Sequence, residues 1–420
     1  MGRPPRPQWH LSTDTWLNDP NGLIHQAGRW HAFYQSNPFG THWGNMSWGH
    51  ASSTDLVSWQ FHPTAIAAES GEDIFSGSCV AVPAEIVAAW PHPVETGAAS
   101  EVLVAVYTSH WHSDSPRAGT QSQSLATSAD GGHTWVRYPG NPVLDRTSAN
   151  FRDPKVFRHR DRWVMVAVEA EHQQVVLYDS GDLIDWTLRS TFGPVHSTGG
   201  AWECPDLLRL PVEGTDEFAW VLLVSINPGG ISGGSGMQYF VGDFDGTEFR
   251  PHRLSDSDDP RTYDWLDLGR DHYAAVSFHA APAGRCVLLG WTGNWDYAHE
   301  AAALGRRSLL SMPRDASLVR RDGRLVVRQR PVPEVLDVHP AERVSPAPGE
   351  RFEVEGLTVA FDGGRLSVTR PDADGLPRFG GTVWGELDAA RADLEVWVDA
   401  GIVEISADDG LLWFSHLTPC

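Results

Sequence analysis

Trp16-Leu17-Asn18-Asp19-Pro20-Asn21-Gly22 sets one carboxylate, Asp19, between two asparagines and beside a proline and a glycine. Asn, Asp, Pro and Gly together predict a tight turn that cannot continue a helix, which is how a chain holds one acid still. Apolar residues flank it. Trp16 and Leu17 lead in, and Leu23, Ile24, Trp30, Phe33 and Tyr34 follow at strand-like density. The turn is therefore expected at the end of a buried strand, not on a solvated surface loop.

Outward from this stretch, 19 Trp, 41 Gly and 29 Pro in 420 residues, with no long window of 3.6-residue periodicity, favour short strands and turns. The fold class is read as all-β. Apolar clusters at 30–34, 102–107, 163–168, 175–178, 220–226 and 287–291 read as strands. A weak repeat overlies them, in which an Asp-bearing turn at Asp55, Asp130, Asp182 or Asp245 precedes Trp59, Trp135, Trp186 or Phe249. That spacing suits one four-stranded propeller blade per repeat, with about five blades before residue 315. An irregular β-sandwich is the alternative. After Pro313-Arg314 the charged turn Arg320-Arg321-Asp322-Gly323-Arg324 and the Pro-rich Arg330-Pro331-Val332-Pro333 read as a linker region. Further strand-like clusters at 357–361, 365–369, 394–398 and 402–405 predict a small β-sandwich. The expected domains are residues 1–315 and 316–420.

The net charge of -22, with Lys155 the only lysine, gives no electrostatic support to a nucleic-acid or anionic-membrane partner and points to a neutral substrate. Cys79, Cys204, Cys286 and Cys420 show no CxxC pairing and are read as free thiols. No apolar h-region follows Met1-Gly2-Arg3-Pro4-Pro5-Arg6-Pro7, and no run approaches 18 apolar residues. The expected location is cytoplasmic as the chain stands, or secreted if a signal peptide has been removed. The oligomeric state is not legible.

Two further acids stand out. Asp153, in Phe151-Arg152-Asp153-Pro154, is expected to be kept ionised by Arg152 and fixed by the proline, although an Arg-Asp neighbour pair is commonly structural. Glu203, in Trp202-Glu203-Cys204-Pro205-Asp206, sits in apolar company that disfavours its charge and suits proton donation; the bland alternative is that it reaches solvent. Glycoside hydrolysis needs such carboxylates, one to protonate the departing oxygen and one to meet the oxocarbenium-like centre.

The opening stretch, followed by Phe33-Tyr34-Gln35, Trp43-Gly44-Asn45-Met46-Ser47-Trp48-Gly49-His50, Phe75-Ser76-Gly77-Ser78 and the segments around Asp153 and Glu203, resembles glycoside hydrolase family 32 in order and approximate spacing. This is the invertase, inulinase and levanase family. The resemblance covers residues 7–315 and continues more weakly beyond. It implies a five-bladed β-propeller with the pocket at its axis, followed by a C-terminal β-sandwich that is shorter here than the family norm. It also implies Asp19 as nucleophile at the anomeric carbon of a β-fructofuranoside, Glu203 as acid and then base, and Asp153 as transition-state stabiliser, with retention of configuration. Residues matching the family's sugar contacts are Asn18, Gln35, Trp43, Phe75, Ser76, Arg152 and Trp295; amides and hydroxyls suit sugar OH groups, and aromatic rings suit the sugar's apolar face. Cys204 reads as a buried neighbour and not a second nucleophile.

The segment 43–50 just quoted, together with residues 233–246 and 265–271, looks more like exo-acting levanases and inulinases than invertases of plants or yeast. The expected activity is release of fructose from the non-reducing end of levan or inulin, and cleavage of sucrose. A fructosyltransferase, a sucrose-specific invertase and a non-catalytic fructan-binding protein are the alternatives. Thr292, where relatives often have Met, and Arg314-Asp315, where Arg-Glu is common, leave fine specificity open. His110-Trp111-His112, or His42 with His50, could converge on a metal, but no HExxH or comparable spacing accompanies them and the resembled family needs none. No metal and no cofactor is expected.

Overall fold

The computed structural model describes residues 6–305, 308–387 and 392–418. Residues 1–5 and Cys420 lie outside them, so the leader and fourth-thiol expectations rest on sequence alone. Short runs of β-branched and aromatic residues between Gly, Asp and Pro turns produce strands throughout. Five antiparallel sheets follow in chain order. The first comprises Trp16–Gln26, Arg29–Asn37, Ser47–Ser53 and Gln60–Ile66; the second, Glu72–Pro83, Glu101–Trp111, Gln121–Ser128 and Leu144–Ser148, with Val136–Arg137 as an extra pairing. The third comprises Phe151–His159, Arg162–Glu169, Gln174–Ser180 and Thr187–Phe192; the fourth, Ala201–Pro211, Phe218–Asn227, Gly236–Phe244 and Phe249–Pro251. The first strand of each sheet touches the first strand of the next, and the fifth returns to the first. There the backbone N–H of His279 donates to Leu23 O at 2.8 Å and that of His25 donates to His279 O at 2.9 Å. Together the sheets form a five-bladed β-propeller.

The Asp repeat has a mechanical cause. Just after the third strand of each of the first four blades, one carboxylate oxygen accepts two backbone N–H groups and closes the reversal. Asp55 holds Val57 and Ser58, Asp130 holds His133 and Thr134, Asp182 holds Ile184 and Asp185, and Asp245 holds Thr247 and Glu248. The aromatic that follows stands directly before the next strand at Trp59, Trp135 and Trp186 and opens it at Phe249.

The fifth blade departs from the expected boundary. Its strands are Tyr273–Ser277, Val287–Trp291, Arg314–Arg321 and Arg324–Pro331, so residue 315 falls inside it. The segment read as a linker is its last hairpin: Asp322 (φ 49°) and Gly323 (φ 77°) are both left-handed, the geometry of a two-residue hairpin turn. The sandwich begins at Glu342 and packs Glu342–Val344, Leu394–Val398, Ile402–Ala407 and Leu412–Leu417 against Glu350–Val354, Leu357–Asp362, Arg365–Arg370 and Gly381–Glu386. Leu357, Val359, Phe361, Val403, Ile405 and Phe414 fill its core. Among the described residues no helix is long and apolar enough to cross a membrane.

The N-terminal segment ties the two parts together. Backbone N–H groups of Gln8, Trp9 and His10 donate to the Asp399 carboxylate at 2.8, 3.1 and 3.3 Å, and the buried His10 ring contacts Asp399 at 2.8 Å and Glu404 at 3.0 Å. Burial alone would lower its pKa, but the two carboxylates outweigh burial and raise it from 6.5 to about 9. The folded value lies above the unfolded one, so this contribution is complete below pH 6.5 and is lost as pH rises through about 9. Stability in urea is expected to fall by of order 2 kcal/mol between about pH 7 and 9.5. His10→Gln should flatten that slope, and an unchanged slope would remove His10 as its source.

Candidate active site

Every innermost strand breaks its pairing register near its N-terminal end: between Leu17 and Pro20, Phe75 and Gly77, Arg152 and Lys155, Glu203 and Asp206, and Tyr273 and Val276. Such bulges turn side chains out of the ladder, and here five of them aim residues into one mouth of the propeller. The stretch around Asp19 is one of these. Asn18 and Asp19 together oppose the single residue Gln35, and Pro20 cannot donate to the ladder. The expected turn is therefore a bulge inside the 11-residue strand Trp16–Gln26. Gly22 is required there: its φ is 52°, and a Cβ would lie 2.8 Å from the Trp48 ring. Asp153 (φ 62°) and Cys204 (φ 45°) hold the same left-handed backbone at their own bulges.

These breaks bring the three carboxylates into one network. Ser76 Oγ donates to Asp19 Oδ2 at 2.8 Å, while Asp19 Oδ1 is buried and accepts no hydrogen bond among the described residues. The Cys204 thiol lies 3.7 Å from both Asp19 Oδ2 and Asp153 Oδ2, and its backbone N–H donates to Asp153 Oδ2 at 2.9 Å. Burial foremost, then the neighbouring Asp19 and Asp153 charges, push the Cys204 thiol well above its ordinary range, so it stays a thiol and not a nucleophile. Burial, then the Glu203 charge, raise Asp19 to about 6 against the hydrogen bond from Ser76.

Two sequence expectations are corrected here. Arg152 is expected from the sequence to keep Asp153 ionised, but its Nη2 donates to Glu203 Oε1 at 3.0 Å and its Nε stands 3.9 Å from Asp153. Burial, opposed by Arg152, leaves Asp153 raised to about 7 instead of held ionised. Glu203 in turn is not in apolar company: its other oxygen, Oε2, accepts from Tyr273 OH at 2.5 Å. Neighbours in sequence point to different partners because the bulge at Asp153 rotates it away from Arg152.

The sugar-contact candidates surround this network. Ser76 is inside it, and Asn18 Oδ1 accepts from Trp16 Nε1 at 2.8 Å. Gln35 Nε2 donates to Ile74 O at 2.9 Å, next to Phe75. Half-exposed Trp43 meets Phe75 edge to face with centroids 6.0 Å apart, and Trp295 stacks on Trp16 at 5.9 Å. Tyr273 was missed; it follows the Trp265–Asp271 segment by two residues, and no local pattern marks a lone tyrosine at the start of a strand. Thr108, which accepts from Asp153 N at 3.0 Å and donates to Gln123 Oε1 at 3.0 Å, was missed for the same reason. Arg314-Asp315 is not at the site: Arg314 is buried against the sandwich and Asp315 pairs with Arg285. His42 and His50 do not converge. His42 lies beside Thr41, whereas His50 contacts His31 and stacks on His62. Cys79, Cys204 and Cys286 are free thiols.

Residues 10–331 match the family model of the glycosyl hydrolases family 32 N-terminal domain. The chain is 44% identical over 338 residues to a levanase from Bacillus subtilis, covering 79% of this chain and 47% of the levanase. It is 39% identical over 354 residues to an extracellular exo-inulinase from Aspergillus niger, covering 78% and 65% respectively. The chain thus spans about half to two thirds of the length of the curated relatives it matches. The crystal structure of exo-inulinase from Aspergillus awamori superposes with a TM-score of 0.89 at 31% identity, covering 100% of this chain and 94% of that one. A β-fructofuranosidase from Schwanniomyces occidentalis complexed with fructosyl-erythritol superposes with a TM-score of 0.85 at 29% identity, covering 99% and 92%. Family model, sequence identity and superposition over the whole chain agree: the chain belongs to glycoside hydrolase family 32.

Proposed function

We propose that this chain is a retaining β-fructofuranosidase that releases fructose from the non-reducing end of levan or inulin and also cleaves sucrose. The observation that carries the reading is the convergence of Asp19, whose Oδ2 accepts from Ser76, and Asp153 on the Cys204 thiol, beside a Glu203 whose two oxygens are oriented by Arg152 and Tyr273. In the first step Asp19 attacks the anomeric carbon while Glu203 gives its proton to the departing glycosidic oxygen. In the second, Glu203 takes a proton from water, whose oxygen attacks the same carbon and releases Asp19. Two inversions give net retention. Asp153, held by the Cys204 N–H, hydrogen-bonds sugar hydroxyls as charge develops. Asn18, Gln35, Ser76 and Arg152 bind hydroxyls, and Trp43, Phe75 and Trp295 line the mouth.

The levanase, exo-inulinase and invertase names of the relatives support a fructan or sucrose substrate, and the exo-inulinases named extracellular support action outside the cell, the second of the two expected locations. The test is incubation with sucrose, inulin and levan followed by chromatography of the products. Fructose as the only early product from both polymers is expected. Products longer than the substrate would instead indicate transfer, activity on sucrose alone an invertase, and no turnover a binding protein.

A further inference from the structure

On the second blade, apart from the carboxylate network, three metal-capable side chains share one face. Asp73 and His110 are direct partners across the first two strands, and His112 lies two residues beyond His110, which in extended backbone returns it to the same side. His112 Nε2 stands 3.0 Å from Asp73 Oδ2, His110 Nδ1 stands 3.9 Å from the same oxygen, and the ligand atoms of all three lie within 4.8 Å of one another. His110 Nδ1 is buried and has no hydrogen-bond partner among the described residues. A simple His112–Asp73 ion pair explains one of these contacts. It leaves an imidazole nitrogen facing a carboxylate at a distance too long for a hydrogen bond, which is how two ligands sit across an ion.

The dimensions fit a small soft-to-borderline cation. Ligands about 2.0–2.2 Å from zinc in a tetrahedron are about 3.3 Å apart, so the side chains need only small rotations to close. The backbone beneath them is already braced: His112 N donates to Gly71 O at 2.9 Å, Trp111 N to Thr120 O at 3.1 Å and Gly119 N to Trp111 O at 2.9 Å. Two imidazoles and one carboxylate favour Zn²⁺, Cu²⁺ or Ni²⁺ over the oxygen-seeking Ca²⁺ and Mg²⁺. The sequence offered only His110 and His112; strand pairing supplies Asp73 as the missing third ligand.

We propose that Asp73, His110 and His112 bind one divalent cation of the zinc class at the rim of the propeller's mouth, with water completing its coordination. The site adjoins the pocket directly. The His110 ring is stacked on Phe75 with centroids 4.6 Å apart and planes 13° from parallel, and Phe75 carries the edge contact with Trp43. A bound ion therefore fixes the imidazole against which the aromatic rim rests. The proposal stands on the geometry of this blade and is independent of the fructoside reading.

The test is calorimetric titration of the full chain with zinc chloride, alongside Co²⁺ titration followed by ligand-field absorption in the visible. One equivalent is expected to bind, with the absorption of a site containing nitrogen ligands. His112→Ala, His110→Phe and Asp73→Asn should each weaken binding by about 100-fold or more, since loss of even an outer-sphere partner costs 10–100-fold. His110→Phe keeps a ring against Phe75, and His112 is exposed enough that its truncation leaves the fold intact, which melting without metal verifies. His62→Ala, in the separate histidine cluster of the first blade, should change nothing. Failure of the wild type to saturate at about 1 mM zinc, or equal affinity in wild type and all three ligand variants, would overturn the proposal.

Discussion

Replacing Asp19 by alanine is expected to lower turnover of levan and inulin by about 10⁵-fold or more, because a covalent nucleophile has no substitute among the side chains around it. The fold should survive: Asp19 lies at a bulge whose shape is set by Pro20 and Gly22, not by its carboxylate. Glu203→Ala should behave differently. An acid matters most when the leaving group is poor, so this variant should retain far more of its activity on an activated aryl β-fructoside than on fructan. The Asp19 variant should show no such recovery. Azide entering the space vacated by Glu203 should intercept the covalent intermediate and yield a β-fructosyl azide, whereas azide acting in the Asp19 variant would give the α-product. An α-product from the Glu203 variant would exchange the two roles, and near wild-type rates in either variant would dismiss the assignment.

Legibility differed by the kind of interaction involved. The blade repeat could be read from sequence because one local device, an Asp accepting two N–H groups just after it, recurs in the first four blades. The fifth blade has no such repeat in the sequence, and the boundary at residue 315 follows from the charged and Pro-rich texture beyond Pro313-Arg314. The turn there is Asp322-Gly323, a hairpin signal in its own right, but surrounding arginines gave it the look of a linker. The three carboxylates were likewise legible as residues, since each stands in a distinctive local string. Their partners were not. Arg152 was assigned to its neighbour Asp153 although it reaches Glu203, 51 positions away in sequence, and Tyr273 joins the same acid from another blade. Contacts across an axis of five strands are set by bulge geometry, which no single segment encodes.

The junction between propeller and sandwich makes the same point energetically and yields the largest stability effect. Arg314, which the sequence marked only as the neighbour of the Asp315 departure, is almost wholly buried. It donates to Asp267 Oδ2 at 3.0 Å, to Glu404 Oε1 at 2.7 Å and to Ser415 Oγ at 2.7 Å, and its guanidinium lies 3.8 Å over the Trp413 ring. Arg314→Met keeps the stem's volume but removes the cation. Glu404 still has His10, so the deficit falls on Asp267, left with hydrogen bonds from Gly269 and Ser415 but no positive partner in contact. Stranding a buried charge in this way costs about 3–5 kcal/mol, read from urea denaturation followed by tryptophan fluorescence. Burial pushes Asp267 up, while Arg314 foremost, with His272 and the hydrogen bonds from Ser415 and Gly269, together outweigh burial and hold it below its usual value. Without Arg314 the largest part of that opposition is gone, and the folded pKa of Asp267 should rise above its unfolded value. A raised carboxylate is stabilising only when protonated, so the gap between Arg314→Met and wild type should narrow as pH falls from about 7 toward 5. Adding Asp267→Asn to Arg314→Met should recover much of the loss at neutral pH, because a neutral amide needs no counter-charge. A single variant within about 1 kcal/mol of wild type would mean that the buried arginine contributes little more than packing.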